Sequence, residues 1–440
     1  GASWLYVSIH EYGFIAAPLA VIATTLFCLF LAAIFAAPFM LTAFLPSTSI
    51  SLILGLPAIW VISEWVRSWV FTGFPWLYAG YSHTETWLNG WAPIGGVLSL
   101  SFFSALTAML FLWFVQGMGQ RRSTLSLSVI LIVLTISGYL LQQVNWTKDI
   151  GEPLTVALIQ PNIAQNEKWS VEKRRAILTQ LATQTEDYWG HDMIIWPEAA
   201  VPSIPKRIPV FMQNLERKAN DSGSTLLTGI ITQDSEQGRF YNSVLAVGGQ
   251  SGQYHKTRLV PFGEYVPLES LLRGLIQFFD LPMSSLSVGP SNQIPLTVQK
   301  QLIATAICYE VVYPDLVARN TREASLIVTV SNDTWFGESL GPLQHMQMVQ
   351  MRALENAKPI IRGTNNGISG LVDQRGNIYG RMDQNSIDEL SGVVQPRAGQ
   401  TPFSITGSWP IIFLSWLIVF FLVLHRSKTN VLEESKNEIK

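Results

Sequence analysis

Apolar residues run almost without polar interruption through the first third of the chain, whereas from about Leu154 to Val394 short apolar runs alternate with turn residues and polar, periodic stretches. Between Gly1 and Thr147 the only charged side chains are Glu11, Glu64, Arg67, Glu85, Arg121 and Arg122. A helix needs about 20 mainly apolar residues to cross a hydrocarbon core roughly 30 Å thick. The uncharged intervals predict four spans, at residues 14–37, 50–66, 93–115 and 125–144, in a membrane domain covering residues 1–147. A fifth is predicted at 405–424.

Lys and Arg in short loops mark the cytoplasmic side. Arg121 and Arg122 fill the loop between the third and fourth spans, and His425, Arg426 and Lys428 follow the fifth. Both clusters lie inside if residues 151–400 form an extracytoplasmic domain and 425–440 a cytoplasmic tail. The last ten residues of that tail are charged enough to predict disorder. Arg67 falls on the opposite side and dissents. The opening "GASWLYVSIHEYG" reads as the end of a span or the loop after one, so the true start is expected to lie earlier.

In the middle region, strands are predicted over Leu154–Gln160, Met193–Trp196, Thr225–Ile230, Ser243–Gly248, Leu302–Cys308, Leu326–Ser331 and Ile368–Val372. Helices are predicted over Glu167–Tyr188, Ile208–Asp221 and Pro342–Ala357. The alternation implies an α/β domain with helices outside a sheet and chemistry at strand ends. A loop that gates substrate entry is expected somewhere between Ser270 and Gln293, a stretch that is apolar although it lies in the polar region.

The chain has 48% apolar and 14% charged residues with a formal net charge of −2, so two solvents are involved and no basic face is available for nucleic acid. Cys28 and Cys308 are the two cysteines and lie far apart in unlike surroundings, which excludes a disulfide framework. GxSxG, HExxH, GxxxxGK[ST] and GxGxxG motifs are absent. The six histidines have no ligand spacing, and neither a metal nor a cofactor is expected.

What remains is three polar residues just after apolar runs. In "DMIIWPEAAVP", Pro197 ends a ladder and sets Glu198 at a strand terminus beside Trp196, where partial desolvation would raise its pKa and suit a general base. In "YHKTRLVPFGEYVP", Lys256 and Glu264 lie in a segment shaped by proline and glycine, and a lysine there could stabilise an oxyanion. In "LIATAICYEVVYPDL", Cys308 ends the most apolar strand, followed by Tyr309 and Glu310. Taken alone it reads better as a structural cysteine. With a Glu and a Lys at other strand ends it reads as a nucleophile, its thiol pKa lowered by the lysine and its proton taken by the glutamate.

These segments, with "VTVSNDTWFG" and the helix that follows, resemble the Glu, Lys and Cys motifs of the nitrilase (carbon-nitrogen hydrolase) superfamily, in that order. Its domain between membrane spans, with "SEWVRSWVFTGFPWLYAGYS", is similar to the apolipoprotein N-acyltransferase family. The resemblance implies a four-layer αββα sandwich beside a multi-pass helical domain, with about three early spans lacking. It further implies an enzyme of the bacterial inner membrane, with its catalytic domain on the periplasmic side. Cys308 would take an acyl chain from a phospholipid as a thioester and pass it to the amine of a diacylglyceryl-modified apolipoprotein. Glu198 would be the base and Lys256 the oxyanion support, with Glu264, Tyr309 and Glu310 supporting and Trp76 and Trp169 contacting substrate. A membrane-anchored amidase with water as acceptor is the alternative.

Overall fold

The structure, a computed structural model, describes the backbone of all residues except 117–120, 235, 250, 262, 266–285 and 439–440; of the remainder, side chains are described except at 121–124, 126–127 and 428–438. It divides into two units, residues 1–24 with 147–400 and residues 25–146 with 401–440.

The strands of the first unit are β1 (Lys148–Asp149), β2 (Leu154–Gln160), β3 (Met193–Ile195), β4 (Thr225–Gln233), β5 (Phe240–Val247), β6 (Gly252–His255), β7 (Leu296–Val298), β8 (Gln301–Ile307), β9 (Leu326–Ser331), β10 (Ile360–Thr364), β11 (Gly370–Val372), β12 (Ile378–Arg381), β13 (Asp388–Val394) and β14 (Arg397–Ala398). They form sheets ordered β13-β2-β3-β4-β5-β6 and β12-β11-β10-β9-β8-β7, with β1 and β14 paired apart. All the predicted strands are present, β2 and β9 with the predicted ends and the others with shifted ones. Those unforeseen are short or carry polar residues on one side, such as β13 with the sequence DELSGVV.

The two sheets repeat one topology although the sequence shows no repeat. In one, parallel β2, β3 and β4 are linked by helices Val171–Thr185 and Pro209–Ser222 and continue into antiparallel β5 and β6. In the other, parallel β8, β9 and β10 are linked by helices Pro314–Thr321 and Gly341–Asn356 and continue into antiparallel β11 and β12. Parallel strands covered on both faces need apolar side chains throughout, and β9, LIVTVS, is buried at every position.

Val156, Leu158, Ile195 and Leu227 of one sheet share a core with Ile303, Val328, Val330 and Ile361 of the other. On the outer face of the first sheet, Ile177, Leu181 and Leu215 of its helices pack on Ala157, Ile159 and Ile194. The second sheet is covered by its own two helices, so the layers run αββα. Before this sandwich in sequence, a short helix Trp4–Val7 and a π-helical turn Ser8–Tyr12 pack on the turn Asp333–Phe336, with the Trp4 and Phe336 rings 4.8 Å apart.

Among the described residues, four helices are long and apolar enough to cross a membrane, Ala17–Phe44, Ser49–Arg67, Trp87–Gln116 and Trp409–Ser427. The predicted span at 125–144 falls on the helix Arg121–Gln142. The helix Ala92–Gln116 is kinked at Gly96 (φ 67°), where a Cβ would come within 2.3 Å of the Phe403 ring. Arg67, the residue that dissented from the charge rule, donates to the Trp76 carbonyl at 2.8 Å and stacks over Phe35 and Tyr78, so it fastens the Trp-rich loop of its own unit. The last helix continues to Glu438, beyond the predicted end at Leu424 and through most of the tail expected to be disordered. After Pro410 it contains no glycine or proline to stop it.

Candidate active site

Glu198 lies three residues past the end of β3. Pro197 cannot donate to the ladder, and Ala199 turns the chain with φ of 46°. The turn passes directly over Gly229 of β4, where a Cβ would lie 2.2 Å from the Pro197 carbonyl oxygen. Trp196 does not face Glu198: its ring is buried in the outer layer, with Nε1 donating to Thr185 Oγ1 at 2.9 Å.

Lys256 follows β6 and is fully buried. Its Nζ donates to Glu198 Oε1 at 3.1 Å and to Glu264 Oε1 at 2.9 Å. Asn242 of β5 donates through one Nδ2 to the same two oxygens, at 2.7 and 2.8 Å, while its backbone carbonyl accepts from the Lys256 backbone N–H at 2.8 Å. The Asn332 backbone N–H, just after β9, donates to Glu198 Oε2 at 2.8 Å. Both oxygens of the Glu198 carboxylate are thereby fixed.

Cys308 immediately follows β8 at φ of 50°, a left-handed conformation that costs a residue with a Cβ about 1–2 kcal/mol. Two networks hold this elbow. Glu310 accepts through Oε2 from the Ile307 backbone at 2.8 Å, and through Oε1 from Tyr254, from the Thr257 backbone and hydroxyl, and from the Arg258 backbone. One carboxylate therefore ties the residue before Cys308 to the residues after Lys256. Behind it, His345 Nε2 lies 3.2 Å from the Cys308 carbonyl, which can only accept, so Nε2 carries the proton. Arg362 donates to Asp333 Oδ2 at 2.7 Å, and His345 Nδ1 lies 3.0 Å from the Arg362 guanidinium and 3.1 Å from Asp333 Oδ1.

These surroundings reverse two expectations. Burial alone would raise the Glu198 pKa, but the Lys256 charge, the Asn242 amide and the Lys168 charge hold it below the ordinary carboxylate value. Glu198 is thus a carboxylate at rest. Burial and the Glu198 charge push the Cys308 thiol up, and Lys256 and Ser331 do not offset them. At rest the site pairs a protonated thiol with an ionised carboxylate, the combination that general-base activation needs.

Glu198, Lys256 and Glu264 are therefore brought into contact, with the charges of Glu198 and Lys256 acting on Cys308. Glu310 supports the elbow. Tyr309 is buried with its ring 5.3 Å from that of Tyr313. Trp169 packs against an apolar cluster of Ile231, Leu259 and Leu286. Trp76 belongs to the other unit, where it is buried and stacked on Phe74. Of the supposed gating loop, residues 270–285 lie outside the described residues.

The sequence reading passed over Lys168, Asn242, Asn332, Asp333 and His345. Lys168 adjoins the Trp169 that was singled out, and its Nζ donates to the Glu198 carbonyl at 3.1 Å. Asn332 and Asp333 lie within the motif VTVSNDTWFG and His345 in the helix that follows it, but nothing in a linear pattern shows that they converge.

The carbon-nitrogen hydrolase profile matches residues 155–402, and the apolipoprotein N-acyltransferase N-terminal domain matches residues 1–110. Apolipoprotein N-acyltransferase of Azotobacter vinelandii is 43% identical over 97% of this chain and 84% of its own length. The chain belongs to the apolipoprotein N-acyltransferase family. Its counterpart in Pseudomonas aeruginosa is 41% identical over the same shares. Among solved structures, Saccharomyces cerevisiae Nit3, a member of branch 10 of the nitrilase superfamily, aligns with 57% of this chain and 92% of its own at a TM-score of 0.44 and 20% identity. As a member of the apolipoprotein N-acyltransferase family, the chain places its carbon-nitrogen hydrolase region where the sandwich and the Glu198–Lys256–Cys308 cluster lie.

Proposed function

We propose that this chain transfers an acyl chain from a membrane phospholipid, through a Cys308 thioester, to the N-terminal amine of a diacylglyceryl-cysteine lipoprotein, the last step of lipoprotein maturation. The observation that carries the reading is the buried cluster in which Lys256 and Asn242 hold an ionised Glu198 whose charge acts on Cys308.

In the first half-reaction, Glu198 takes the thiol proton as sulfur attacks the ester carbonyl carbon. Lys256 stabilises the resulting oxyanion by its charge. Collapse breaks the ester C–O bond, and Glu198 returns the proton to the departing lysophospholipid alkoxide. In the second, the lipoprotein amine attacks the thioester and gives its proton to Glu198. The C–S bond breaks, and the proton passes back to sulfur. Glu264 and Glu310 hold Lys256 and the elbow in place, and the apolar cluster around Trp169 provides a wall for an acyl chain. Trp76, buried within its own unit, is not assigned a substrate contact.

Both substrates are lipids, and extracting an acyl chain into water costs about 0.8 kcal/mol per CH₂. A catalytic domain with membrane helices on either side in the chain avoids that cost and raises the effective substrate concentration. The positions of Arg121, Arg122 and Arg426 support a catalytic domain on the periplasmic side of the inner membrane.

Intact-mass spectrometry of protein purified from membranes tests the reading. The expected result is a fatty-acyl mass on the wild type that hydroxylamine removes and Cys308→Ala lacks. Absence of the adduct, with Cys308 still reactive toward iodoacetamide, would favour the amidase that uses water as acceptor.

A further inference from the structure

We propose that Lys168 is a second cation of the active site, offsetting the negative charge that develops at Cys308 while its hydrogen bond holds the Glu198 backbone. The proposal rests on the reading of Cys308 as nucleophile.

Lys168 ends the short helix Gln165–Lys168 and is buried to 1% exposure. Buried lysines are ordinarily paired with carboxylates. Among the described residues, the acceptor for Lys168 Nζ is the neutral carbonyl oxygen of Glu198, 3.1 Å away. An ammonium has three donors, so among the described residues two of its N–H bonds have no acceptor. Such an arrangement is costly unless nearby negative charge compensates it.

The charge balance indicates where. Lys256 is shared between Glu198 and Glu264, so these three groups sum to one negative charge. A thiolate or tetrahedral oxyanion formed beside them would face net repulsion. With Lys168 included, Glu198, Glu264, Lys256 and Lys168 sum to zero. When Glu198 accepts the Cys308 proton, the negative charge moves from carboxylate to sulfur, and Lys168 is acted on by both groups. Lys168 itself stays protonated throughout, and no bond to it forms or breaks.

Burial lowers the Lys168 ammonium to about 8, against the opposing pull of Glu198 and Cys308. The other charges acting on Cys308 are Glu198, Lys256 and Asp333. Beside Lys168 in the chain, Glu167 pairs with Lys173 at 3.3 Å in solvent and does not compensate it. The support from Lys168 should therefore fade above about pH 8.

The test uses the full chain in lipid–detergent micelles and measures the rate of Cys308 alkylation by iodoacetamide against pH, with Cys308→Ala giving the Cys28 background. Lys168→Met removes the charge at similar volume, and Lys168→Arg keeps it. The expected result is that Lys168→Met slows alkylation about tenfold at neutral pH, with the two profiles converging above about pH 8 where Lys168 loses its charge, and lowers kcat of acyl transfer with little change in KM. Lys168→Arg should keep the wild-type rate and extend it to higher pH. An unchanged alkylation profile in Lys168→Met would overturn the proposal, as would early melting of both variants, which would assign the lysine to holding the fold. A wild-type Cys308 inert toward iodoacetamide would overturn the nucleophile reading itself.

Discussion

Lys256 shows how closely the buried charges depend on one another. It is the counter-charge of Glu198 and Glu264, and the two carboxylates also share the Asn242 amide. Removing one partner of a buried ion pair leaves an uncompensated charge, at a cost of about 3–5 kcal/mol. Lys256→Met should accordingly lower the melting temperature as well as abolish acyl transfer, and adding Glu264→Gln should restore part of the stability but none of the activity. Thermal melts of the single and double variants check this. Asp333 gives a pH-dependent case. Burial alone would raise its carboxyl, but Arg362 and His345 hold it well below the usual value. Its contribution to stability is complete above the unfolded carboxylate range, about pH 4, and is lost as pH falls toward the folded value. Melting temperature against pH should therefore fall less steeply on the acid side in Asp333→Asn than in the wild type, from a lower plateau.

At the scale of elements, the chemistry lies where strands end and the backbone is forced out of regular geometry. Pro197 and Ala199 turn the chain after β3, Lys256 follows β6, Cys308 leaves β8 in a left-handed conformation, and Asn332 follows β9. The first turn is possible because β4 carries Gly229 beneath it. A Cβ there would lie 2.2 Å from Pro197 O and 2.6 Å from Ala199 N, both backbone atoms that can move only by shifting Glu198. Gly229→Ala should cost about 1–3 kcal/mol and reduce formation of the acyl adduct, as read by melting and intact mass. The turn residues were legible in the sequence because proline and a following carboxylate are local signals. Gly229 was not, since its neighbour in space is thirty residues away in the chain and is reached only through the β3–β4 pairing.

At the scale of the molecule, the helices Ala17–Phe44 and Trp409–Ser427 leave most of their apolar surface uncovered by protein, with Leu26, Leu29, Phe413 and Phe421 among the exposed side chains. Surface of this length and composition is suited to hydrocarbon. The chain should therefore stay with membranes through alkaline carbonate and high-salt washes and leave only in detergent; release by carbonate would count against integral spans. The sandwich has the opposite requirement. Its apolar strands are covered on both faces by protein, because two copies of one β-α-β-α-β-β-β topology place their sheets face to face.

The sequence by itself determined what local composition can determine: which segments are apolar enough for membrane, which short runs become strands, and that Glu198, Lys256 and Cys308 lie where such runs end. Hydrophobic period and turn chemistry act over a few residues, so they survive in linear order. Only the tertiary structure decided the protonation states, which ran opposite to expectation. The same low dielectric that would raise a lone Glu198 strengthens its attraction to Lys256, and no local pattern reveals that a residue fifty-eight positions away will sit 3.1 Å from it. The supporting residues Asn242, Asn332, His345 and Lys168 were hidden for the same reason, because their partners are brought within hydrogen-bond reach by sheet pairing rather than by sequence spacing.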